Sequence, residues 1–279
     1  MTVGIVVNRT KKLAGLYHEK LTEAFAERGV EVISSLNNEE SSELYDKADI
    51  IISLGGDGTF LKTASGALVK GTPIFGFNLG TIGFLTEFDP GSIETTVGRI
   101  CGGEYAIEER SVLEIWLSSS AGREFFSYAI NDAVITREID ANVCSLSVGI
   151  NGSFVATYAG DGIIVATQTG STAYSLSAGG PIIEPGNDVL LITPICSHKM
   201  GSRTIVARPD SIITVRPRDK AKKLRIMADG NRFRKLCEDE TVVCSASDRK
   251  VRILRIDPPN FYQTVAQKIF GDTKEETDA

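Results

Sequence analysis

The sequence predicts an α+β protein with an α/β N-terminal domain, built on a parallel Rossmann-like sheet, and a mostly antiparallel β C-terminal domain, a β-sandwich. In the first hundred residues, apolar runs of strand length alternate with segments of helical apolar spacing, as in parallel sheets with crossover helices. After about residue 108, short β-rich runs follow one another with turn residues between them, which is typical of antiparallel sheets. The 279 residues suffice for two ordinary domains.

The N-terminal domain is predicted to span residues 1–107 and to be joined by a C-terminal helix within residues 258–279. Its predicted elements are a strand at 3–8, a helix at 12–28 closed by Gly29, strands at 30–34, 50–54 and 73–78, and a short helix at 92–100. Ligands of such sheets bind at the carboxyl ends of the strands. That edge would carry two polar segments, Gly55–Gly58 and Asn78-Leu79-Gly80.

The C-terminal domain is predicted to span residues 108–257. Its predicted strands lie at 112–117, 125–130, 133–136, 145–150, 162–166, 189–193, 212–216, 224–228, 241–245 and 251–255. One segment, Thr167–Ile182, is rich in small and hydroxyl residues and would pack poorly as a strand. As a loop that opens a short helix, it would offer hydroxyl and backbone donors to a polar ligand. Beyond a closing helix at 261–270, residues 272–279 are charged and are expected to fray.

The charge balance excludes two classes of partner. The 30 Lys and Arg against 36 Asp and Glu give a net charge of −6, which provides no general electrostatic footprint for nucleic acid or an anionic membrane surface. No apolar run approaches the roughly 20 residues of a membrane span. The five cysteines are scattered and never in a CxxC spacing, so we expect them to be reduced and buried. We therefore predict a cytoplasmic protein without nucleic-acid or membrane partners.

The sequence Gly55-Gly56-Asp57-Gly58 lies between an apolar strand and a segment of helical spacing that we expect Thr59 to open. Such a turn exposes backbone N–H groups at a helix N-terminus, where phosphate is favoured. Two nucleotide motifs nearly match, the phosphate loop GxxxxGK[ST] and the dinucleotide fingerprint GxGxxG, and both fail at Leu61. Neither motif is therefore present.

Asp57 is a carboxylate in a turn otherwise suited to anions. Because it would repel a pyrophosphate lying directly on the turn, it is expected to face a hydroxyl, a metal ion or a ribose. This arrangement indicates phosphoryl transfer. The alternative is a tight turn in which the aspartate only caps the helix.

Several motifs along the chain combine with this turn into a recognisable pattern. They are GGDGTFL at 55–61, Asn78-x-Gly80 with Gly83-Phe84, Asn131-Asp132, Asp161-Gly162, TGSTAYSLSAGGP at 169–181 and FYxxxxxK at 261–268. Together these motifs resemble those of the NAD kinase family, and the match covers nearly the whole chain. The glycine-aspartate turn is shared with diacylglycerol kinases and phosphofructokinases, whereas the TGSTAYSLSAGGP segment is much more specific.

The resemblance implies transfer of a phosphoryl group to the 2′-hydroxyl of the adenosine ribose of NAD, giving NADP, and leaves NADH open as a second acceptor. It implies ATP or polyphosphate as the donor, and a divalent metal ion, Mg²⁺, whose ligands the sequence does not identify. NAD and ATP would be the small-molecule partners of a homodimer or homotetramer. Residues 1–107 would form the nucleotide-binding domain and residues 108–257 the NAD-binding domain.

The same resemblance assigns roles to individual residues. Asp57 would be the catalytic residue that accepts the proton of the acceptor hydroxyl. The other predicted substrate-binding residues are Gly58 and Lys62, close to the ligand; Phe84; Asn131 and Asp132, which would hold a ribose; Asp161, which would also hold a ribose through its carboxylate; Thr172, Ala173, Tyr174, Ser175, Leu176 and Ser177 at the adenine and nicotinamide subsites; and Asn231, which would reach the bound dinucleotide.

Other interpretations of these residues stay open at this point. Asn131-Asp132 follows an apolar run and fits a simple turn, and Tyr174 fits a core residue. A lipid or sugar kinase with the same glycine-aspartate turn is disfavoured by Thr169–Pro181, which suits a polar dinucleotide better than an acyl chain. A non-catalytic NADP-sensing module is disfavoured by the intact Asp57.

The chain also departs from the family pattern. Gln168 stands where the family commonly has proline, and Ser197 and Lys199 alter a PHT sequence. Ala159 stands where many members carry arginine. Because the oxidised nicotinamide ring is cationic and the reduced ring is neutral, loss of that positive charge would relax discrimination between NAD and NADH.

Overall fold

The computed structural model describes residues 1–36, 42–79, 83–87, 93–138, 141–218, 223–258 and 260–271. The chain divides into two compact units, of which unit 1 comprises Met1–Glu109 with Val251–Ala279 and unit 2 comprises Arg110–Lys250. Gly80, predicted at a ligand-binding edge, and residues 272–279, predicted to fray, lie outside the described residues.

Unit 1 is built on a parallel sheet. Its first elements are β1 (Thr2–Val7), α1 (Ala14–Ala26), β2 (Glu31–Leu36), α2 (Ser42–Lys47), β3 (Ile50–Gly55), α3 (Asp57–Ala67), β4 (Ile74–Asn78) and α4 (Ile93–Gly102). All six residues of β3 and all five of β4 are buried, as their continuous apolar sequences predict. Helices α1 and α4 pack with β1, β3 and β4 in one apolar cluster. The α/β prediction is confirmed, although α2, which buries only Leu44, was not predicted.

The strand order of this sheet is β2-β1-β3-β4, with parallel pairing throughout. Such an order reverses direction between β1 and β3, and ligands of doubly wound sheets bind outside the carboxyl ends of the strands at that switch point. Asn8 follows β1 and Gly56 follows β3. The Asn8 amide Nδ2 donates to Thr59 Oγ1 at 3.0 Å, so the ends of these two strands are joined. The N-terminus of α3, where Asp57 lies, is therefore at the switch point.

Unit 2 is a β-sandwich. Its elements are β5 (Ala106–Ser119), β6 (Gly122–Ala129), β7 (Asp132–Arg137), β8 (Cys144–Ile150), β9 (Ser153–Gly160), β10 (Gly162–Thr167), a 3-10 turn (Thr169–Thr172), α5 (Tyr174–Ser177), β11 (Leu190–Ile195), β12 (Ile205–Ala207), β13 (Ile213–Pro217), β14 (Leu224–Ala228), β15 (Arg232–Leu236) and β16 (Thr241–Arg255). One sheet has the order β12-β11-β10-β7-β14-β15, and the other contains β9-β8-β13-β16 with β5 and β6. Ile135 and Ile163 of the first sheet share one buried cluster with Val148 and Ile213 of the second. The predicted sandwich is confirmed.

Three strands of unit 2 were not predicted, and all three are edge strands. β12 and β15 terminate the six-stranded sheet and β9 terminates the other. Half-exposed strands lack the continuous apolar run by which buried strands are recognised, and β15 has the sequence RFRKL.

The strands predicted at 241–245 and 251–255 are one strand, β16, which continues through Asp248, Arg249 and Lys250. These charged residues suggested a turn in the sequence. The strand passes from unit 2 to unit 1 after Lys250, whereas the sequence placed the boundary at residue 257. In unit 1, Ile253 pairs in parallel with Ile74 of β4.

The predicted closing helix is present as α6 (Phe261–Val265), followed directly by a π-helical turn at Ala266–Phe270. The Asn260 side chain caps α6 by accepting a hydrogen bond from Gln263 N at 3.0 Å. None of the five cysteines forms a disulfide, but Cys196 and Cys237 are exposed, so the expectation that every cysteine is buried is wrong. Within the described part of the chain, no helix has the length and apolar character needed to cross a membrane.

Candidate active site

Asp57 is the first residue of α3 and not a residue of the preceding turn. The buried strand β3 ends at Gly55, and Gly56 takes the N-cap position with extended backbone angles, φ −121° and ψ −170°. The helix thus begins two residues before the predicted Thr59. Because Gly56 occupies the cap position, the interpretation of Asp57 as a helix cap is wrong. A carboxylate in the first turn is favoured by the positive end of the helix dipole.

Four hydrogen-bond donors converge on the Asp57 carboxylate. Oδ2 accepts from Phe84 N at 3.0 Å and from Lys268 Nζ at 3.0 Å. Oδ1 accepts from Leu85 N and from Thr86 Oγ1, both at 3.2 Å. The side chain keeps 26% of its surface exposed. Asp57 is therefore held in one orientation while remaining accessible.

The segment Gly83–Glu87, which we call the clasp segment, supplies three of these donors. A Cβ on Gly83 would lie 2.2 Å from Asp57 Oδ1 and 2.2 Å from Thr86 Oγ1, so only glycine allows this approach. Glu87 joins the segment to the sheet, because Glu87 N donates to Gly76 O at 2.7 Å and Asn78 N donates to Glu87 O at 2.8 Å. The clasp segment is thereby fixed at the end of β4.

The buried Arg255 donates hydrogen bonds to two residues of the clasp segment. Arg255 is 5% exposed, and its Nε donates to Glu108 Oε2 at 2.7 Å. Its guanidinium also reaches Glu87 Oε1 at 3.4 Å and Leu85 O at 3.5 Å. Burial raises the pKa of Glu87, and the charge of Arg255 opposes that rise. Sequence analysis did not assign any role to Arg255.

The other predicted residues of unit 1 lie around Asp57 as follows. A Cβ added to Gly58 would meet no heavy atom within 4 Å, so open space adjoins this residue. Lys62 is exposed on α3 one turn after Gly58, on the same side of the helix. Phe84 contributes its backbone N–H to Asp57 and its ring to a contact with Phe261, at 6.0 Å between ring centroids.

In unit 2, Asp229, a partly buried residue to which the sequence assigned no role, organises the Asn131-Asp132 turn. Asp229 Oδ1 accepts from Asn131 N at 2.7 Å and from Asp132 N at 3.1 Å, and Oδ2 accepts from Ile130 N at 2.7 Å. Burial raises the pKa of Asp229, and these three backbone N–H groups oppose that rise. In the sequence Asp229-Gly230 resembles an ordinary hairpin turn, so nothing there indicates this function.

The last residue of β10 and the 3-10 turn that follows it contact the Asn131-Asp132 segment on its other side. Thr167 N donates to Asn131 O at 2.9 Å, and Thr167 Oγ1 donates to Ile130 O at 2.6 Å. A Cβ on Gly170 would lie 2.1 Å from Asn131 O. Asn131-Asp132 is therefore a fixed peptide contacted on both sides, and not a simple turn.

Asp132 is the first residue of β7 and is 5% exposed. Burial raises its pKa to about 7, and the charge of Asp229 acts in the same direction. Near neutral pH its carboxyl group therefore exists in both forms, and it can accept a hydrogen bond from a hydroxyl or donate one to it.

Asp161 lies at the opposite end of β10 from this turn. The register pairs Gly162 with Thr136 and Ala166 with Asp132, so Asp161, one residue before Gly162, lies five residues or about 17 Å along the strand from the position paired with Asp132. Arg137, which was not predicted, donates from Nε to Asp161 Oδ1 at 2.7 Å. This hydrogen bond lowers the pKa of Asp161. Asp132 and Asp161 are thus too far apart to hold one ribose together.

The segment predicted to line the base subsites forms the 3-10 turn and α5. Tyr174 is 42% exposed, so its interpretation as a core residue is wrong. Desolvation raises its pKa, and the nearby charges of Cys196, Asp161 and Asp132 add to the rise. The Tyr174 phenol therefore lies within electrostatic reach of both carboxylates.

The remaining residues of this segment have different surroundings. Ser175 is buried, and its Oγ is 2.8 Å from Thr193 Oγ1, so this hydroxyl attaches α5 to β11. Thr172, Ala173 and Leu176 are partly buried, and Ser177 is exposed. Asn231 is exposed in the turn between β14 and β15, two residues after Asp229.

Gln168, the departure from proline, is buried within a polar network. Its Nε2 donates to Asp188 Oδ1 at 2.7 Å, and the Ser111 hydroxyl donates to the same oxygen at 2.7 Å. The glutamine therefore replaces the conformational restriction of proline with a hydrogen bond to Asp188.

The described residues contain no cluster of three or more His, Cys, Asp or Glu side chains that could hold a metal ion. The Asp57 carboxylate already accepts four hydrogen bonds. A Mg²⁺ ion held by protein ligands alone does not fit this part of the chain, whereas Mg²⁺ commonly binds through substrate phosphates and few protein ligands.

Comparison with known proteins agrees with this architecture. Residues 42–105 match the family model of the ATP-NAD kinase N-terminal domain, and residues 130–256 match that of the ATP-NAD kinase C-terminal domain. The chain is 40% identical over 230 residues to the NAD kinase of Thermoanaerobacter sp. (strain X514), covering 82% of this chain and 81% of the relative. It is 38% identical over 269 residues to the NAD kinase of Caldicellulosiruptor bescii, covering 96% and 99%.

Solved structures show the same likeness. An NAD kinase from Archaeoglobus fulgidus in complex with ATP matches with a TM-score of 0.78 and 26% identity, covering 97% of this chain and 98% of that one. Yeast NADH kinase complexed with NADH shares the fold, with a TM-score of 0.83 and 21% identity over 100% and 90% of the chains. The fold and these matches define a phosphotransferase of the kinase class. The chain belongs to the NAD kinase family and transfers phosphate to NAD.

Proposed function

We propose that the protein uses ATP to phosphorylate the 2′-hydroxyl of the adenosine ribose of NAD and that Asp57 accepts the hydroxyl proton. The observation that carries this proposal is the oriented, accessible Asp57 carboxylate at the switch point of the sheet. A bond forms between the ribose oxygen and the γ-phosphorus, the bond from that phosphorus to its bridging oxygen breaks, and ADP leaves. Because this transition state is loose, positioning contributes most and the proton leaves late.

Residues of unit 2 are proposed to hold the dinucleotide. Asn131 and Asp132 would bind one ribose through a peptide that Asp229 fixes in place. Since Asp161 lies about 17 Å away along the direction of β10, it would bind the other end of NAD. Tyr174, exposed and within reach of both carboxylates, would contact a base. Gly58, Lys62 and Phe84 would lie near the phosphates, and Thr172, Ala173, Leu176, Ser177 and Asn231 would complete the base and ribose contacts.

We also propose that NADH is an acceptor, because Ala159 is exposed and brings no positive charge. ATP as donor is supported by the similar NAD kinase from Archaeoglobus fulgidus, which was solved with ATP, and polyphosphate is the alternative donor. Mg²⁺ would arrive with the triphosphate. Five cysteines outside any disulfide support a cytoplasmic location, and the exposed rings of Phe154 and Phe233 support a homodimer or homotetramer.

Substitution of the proposed base tests this function. NADP formation from NAD, ATP and Mg²⁺ is measured for Asp57→Asn beside thermal melting, and we expect kcat to fall by about 10²- to 10⁴-fold. Asp46→Asn is the matched control, because Asp46 also pairs with a lysine of unit 1, Lys70 at 3.7 Å, and should leave kcat unchanged. Retention of more than about a tenth of the wild-type rate by folded Asp57→Asn contradicts the proposed role. Replacing NAD by NADH in the same assay tests the second acceptor.

A further inference from the structure

Lys268 provides a positive charge at the proposed base. It lies in the π-helical turn that follows α6, 211 residues away from Asp57 in the sequence, yet its Nζ is 3.0 Å from Asp57 Oδ2. The other three donors to Asp57 are two backbone N–H groups and a hydroxyl, so Lys268 is the charged member of the set. The FYxxxxxK motif contains this lysine, but nothing in the sequence connects it to Asp57.

Aromatic contacts hold the lysine in place. Its ammonium lies 4.9 Å from the centre of the Phe84 ring, within the range of a cation–π interaction. The same ring contacts Phe261 of α6 at 6.0 Å, so the clasp segment and the C-terminal helix share one platform. Exposed ion pairs between mobile side chains usually contribute little. This pair is different, because both partners are oriented by other contacts, Asp57 by the clasp segment and Lys268 by the Phe84 ring.

An unpaired Asp57 would conflict with phosphoryl transfer. The helix N-terminus beside it favours phosphate, but a bare carboxylate there would repel the same group. The Lys268 ammonium cancels this negative charge at close range. Lys268 also donates to Oδ2, whereas the Thr86 hydroxyl donates to Oδ1. Donors on both oxygens limit rotation of the carboxylate.

We propose that Lys268 is a positioning residue for phosphoryl transfer, acting through Asp57. This inference rests on the proposed function, in which Asp57 accepts the proton of the acceptor hydroxyl. Lys268 holds the carboxylate in one orientation, and its positive charge reduces the repulsion between Asp57 and the phosphoryl group that approaches. The proton moves from the hydroxyl to Asp57, and Lys268 takes no part in the proton transfer.

Three variants test the proposal. Lys268→Met keeps the length of the side chain and removes its charge, and we expect kcat to fall by about 10²-fold while KM for NAD changes by less than about 3-fold. Lys268→Arg retains the charge and the ring contact, and should keep most of the activity. Lys268→Ala should regain activity when ethylammonium is added, in a saturable manner. Ethylammonium should not restore Asp57→Asn.

Lys70→Met is the matched control, because Lys70 also pairs with an aspartate of unit 1 but lies on the surface with Asp46. It should match the wild type in kcat and in melting temperature. If Asp57→Asn is inactive but Lys268→Met keeps kcat within about 3-fold of wild type, this inference fails and the proposed function stands. If Asp57→Asn is active, both fail. If Lys268→Met does not fold, an inactive but folded Lys268→Arg, or a folded Lys268→Ala without amine rescue, overturns the inference.

Discussion

Two aspartates close together in unit 2 differ in the donors around their carboxylates, although burial raises the pKa of both. The Asp229 carboxylate accepts three backbone N–H groups, which stabilise its charged form. Within the described chain no such donor offsets the burial of Asp132, and its pKa rises to about 7. The arrangement assigns the structural function to Asp229 and leaves Asp132 available for a ligand hydroxyl. A turn with only a structural role would not bury a carboxyl group without a hydrogen-bond donor to offset the cost of burial.

This difference predicts a pH dependence of stability. Between about pH 4 and 7 the native chain keeps a proton on Asp132 that the unfolded chain has released, so stability falls as the pH rises through this range. Asp132→Asn cannot ionise and escapes this loss. We therefore expect the free energy of unfolding of the variant, minus that of the wild type, to increase with pH across this range, by up to about 4 kcal/mol. Urea unfolding at several pH values measures the difference.

The control for this experiment is Asp210→Asn. Asp210 is an exposed carboxylate of the same unit, and a hydrogen bond from Arg208 lowers its pKa. Because it is ionised in both states above about pH 5, its difference from wild type should be constant between about pH 5 and 8. A constant difference for Asp132→Asn over the same range would show that the Asp132 carboxyl group is not held protonated by burial.

At the scale of elements, the sequence predicts well the parts of the fold whose pattern is local. Buried strands such as β3 and β4 are continuous apolar runs, and glycine after β3 marks the turn. Contacts between distant segments have no such signal. Asp57 meets the clasp segment and Lys268, and Asn131 meets Asp229, through pairings that only the tertiary structure creates. Resemblance to a family indicated which motifs matter, but not these contacts.

The clasp segment provides a prediction at this scale. In Gly83→Ala the new methyl group would lie 2.2 Å from Asp57 Oδ1, so either the carboxylate or the segment must move. A displacement of about 1 Å at a reacting group can reduce a rate by about 10²-fold, and we expect a loss of kcat of that order. Steady-state assays of NADP formation beside thermal melting measure the effect.

Gly15→Ala serves as the control, because no heavy atom lies within 4 Å of a Cβ at this position of α1. It should leave kcat unchanged and stability equal or slightly higher, since alanine favours helix. If Gly83→Ala is as active as Gly15→Ala, the close approach of the clasp segment to Asp57 is not needed for the reaction.

At the scale of the whole molecule, the chain enters unit 2 along β5 and returns along β16, so unit 2 is one continuous insertion into unit 1. This connectivity explains why Asp57 and Lys268 belong to the same unit despite their separation in sequence. It also explains the length of β16, whose 15 residues serve both units. The sequence showed an α/β pattern followed by a β-rich pattern, but it did not show that the second part is inserted into the first.

The final prediction concerns the metal ion and follows from the ligands that the chain offers. Within the described ranges no three carboxylate, imidazole or thiolate groups cluster, so the protein alone should not retain a divalent ion. Mg²⁺ is commonly held by one or two carboxylates together with substrate phosphates. We expect elemental analysis of EDTA-dialysed protein to show well below one metal ion per chain, with an unchanged melting temperature. Activity should return as soon as Mg²⁺ is added with ATP, and the rate should follow the concentration of the Mg²⁺–ATP complex. One tightly held ion per chain after dialysis, or melting that depends on Mg²⁺ without nucleotide, would instead require a metal site built by the protein.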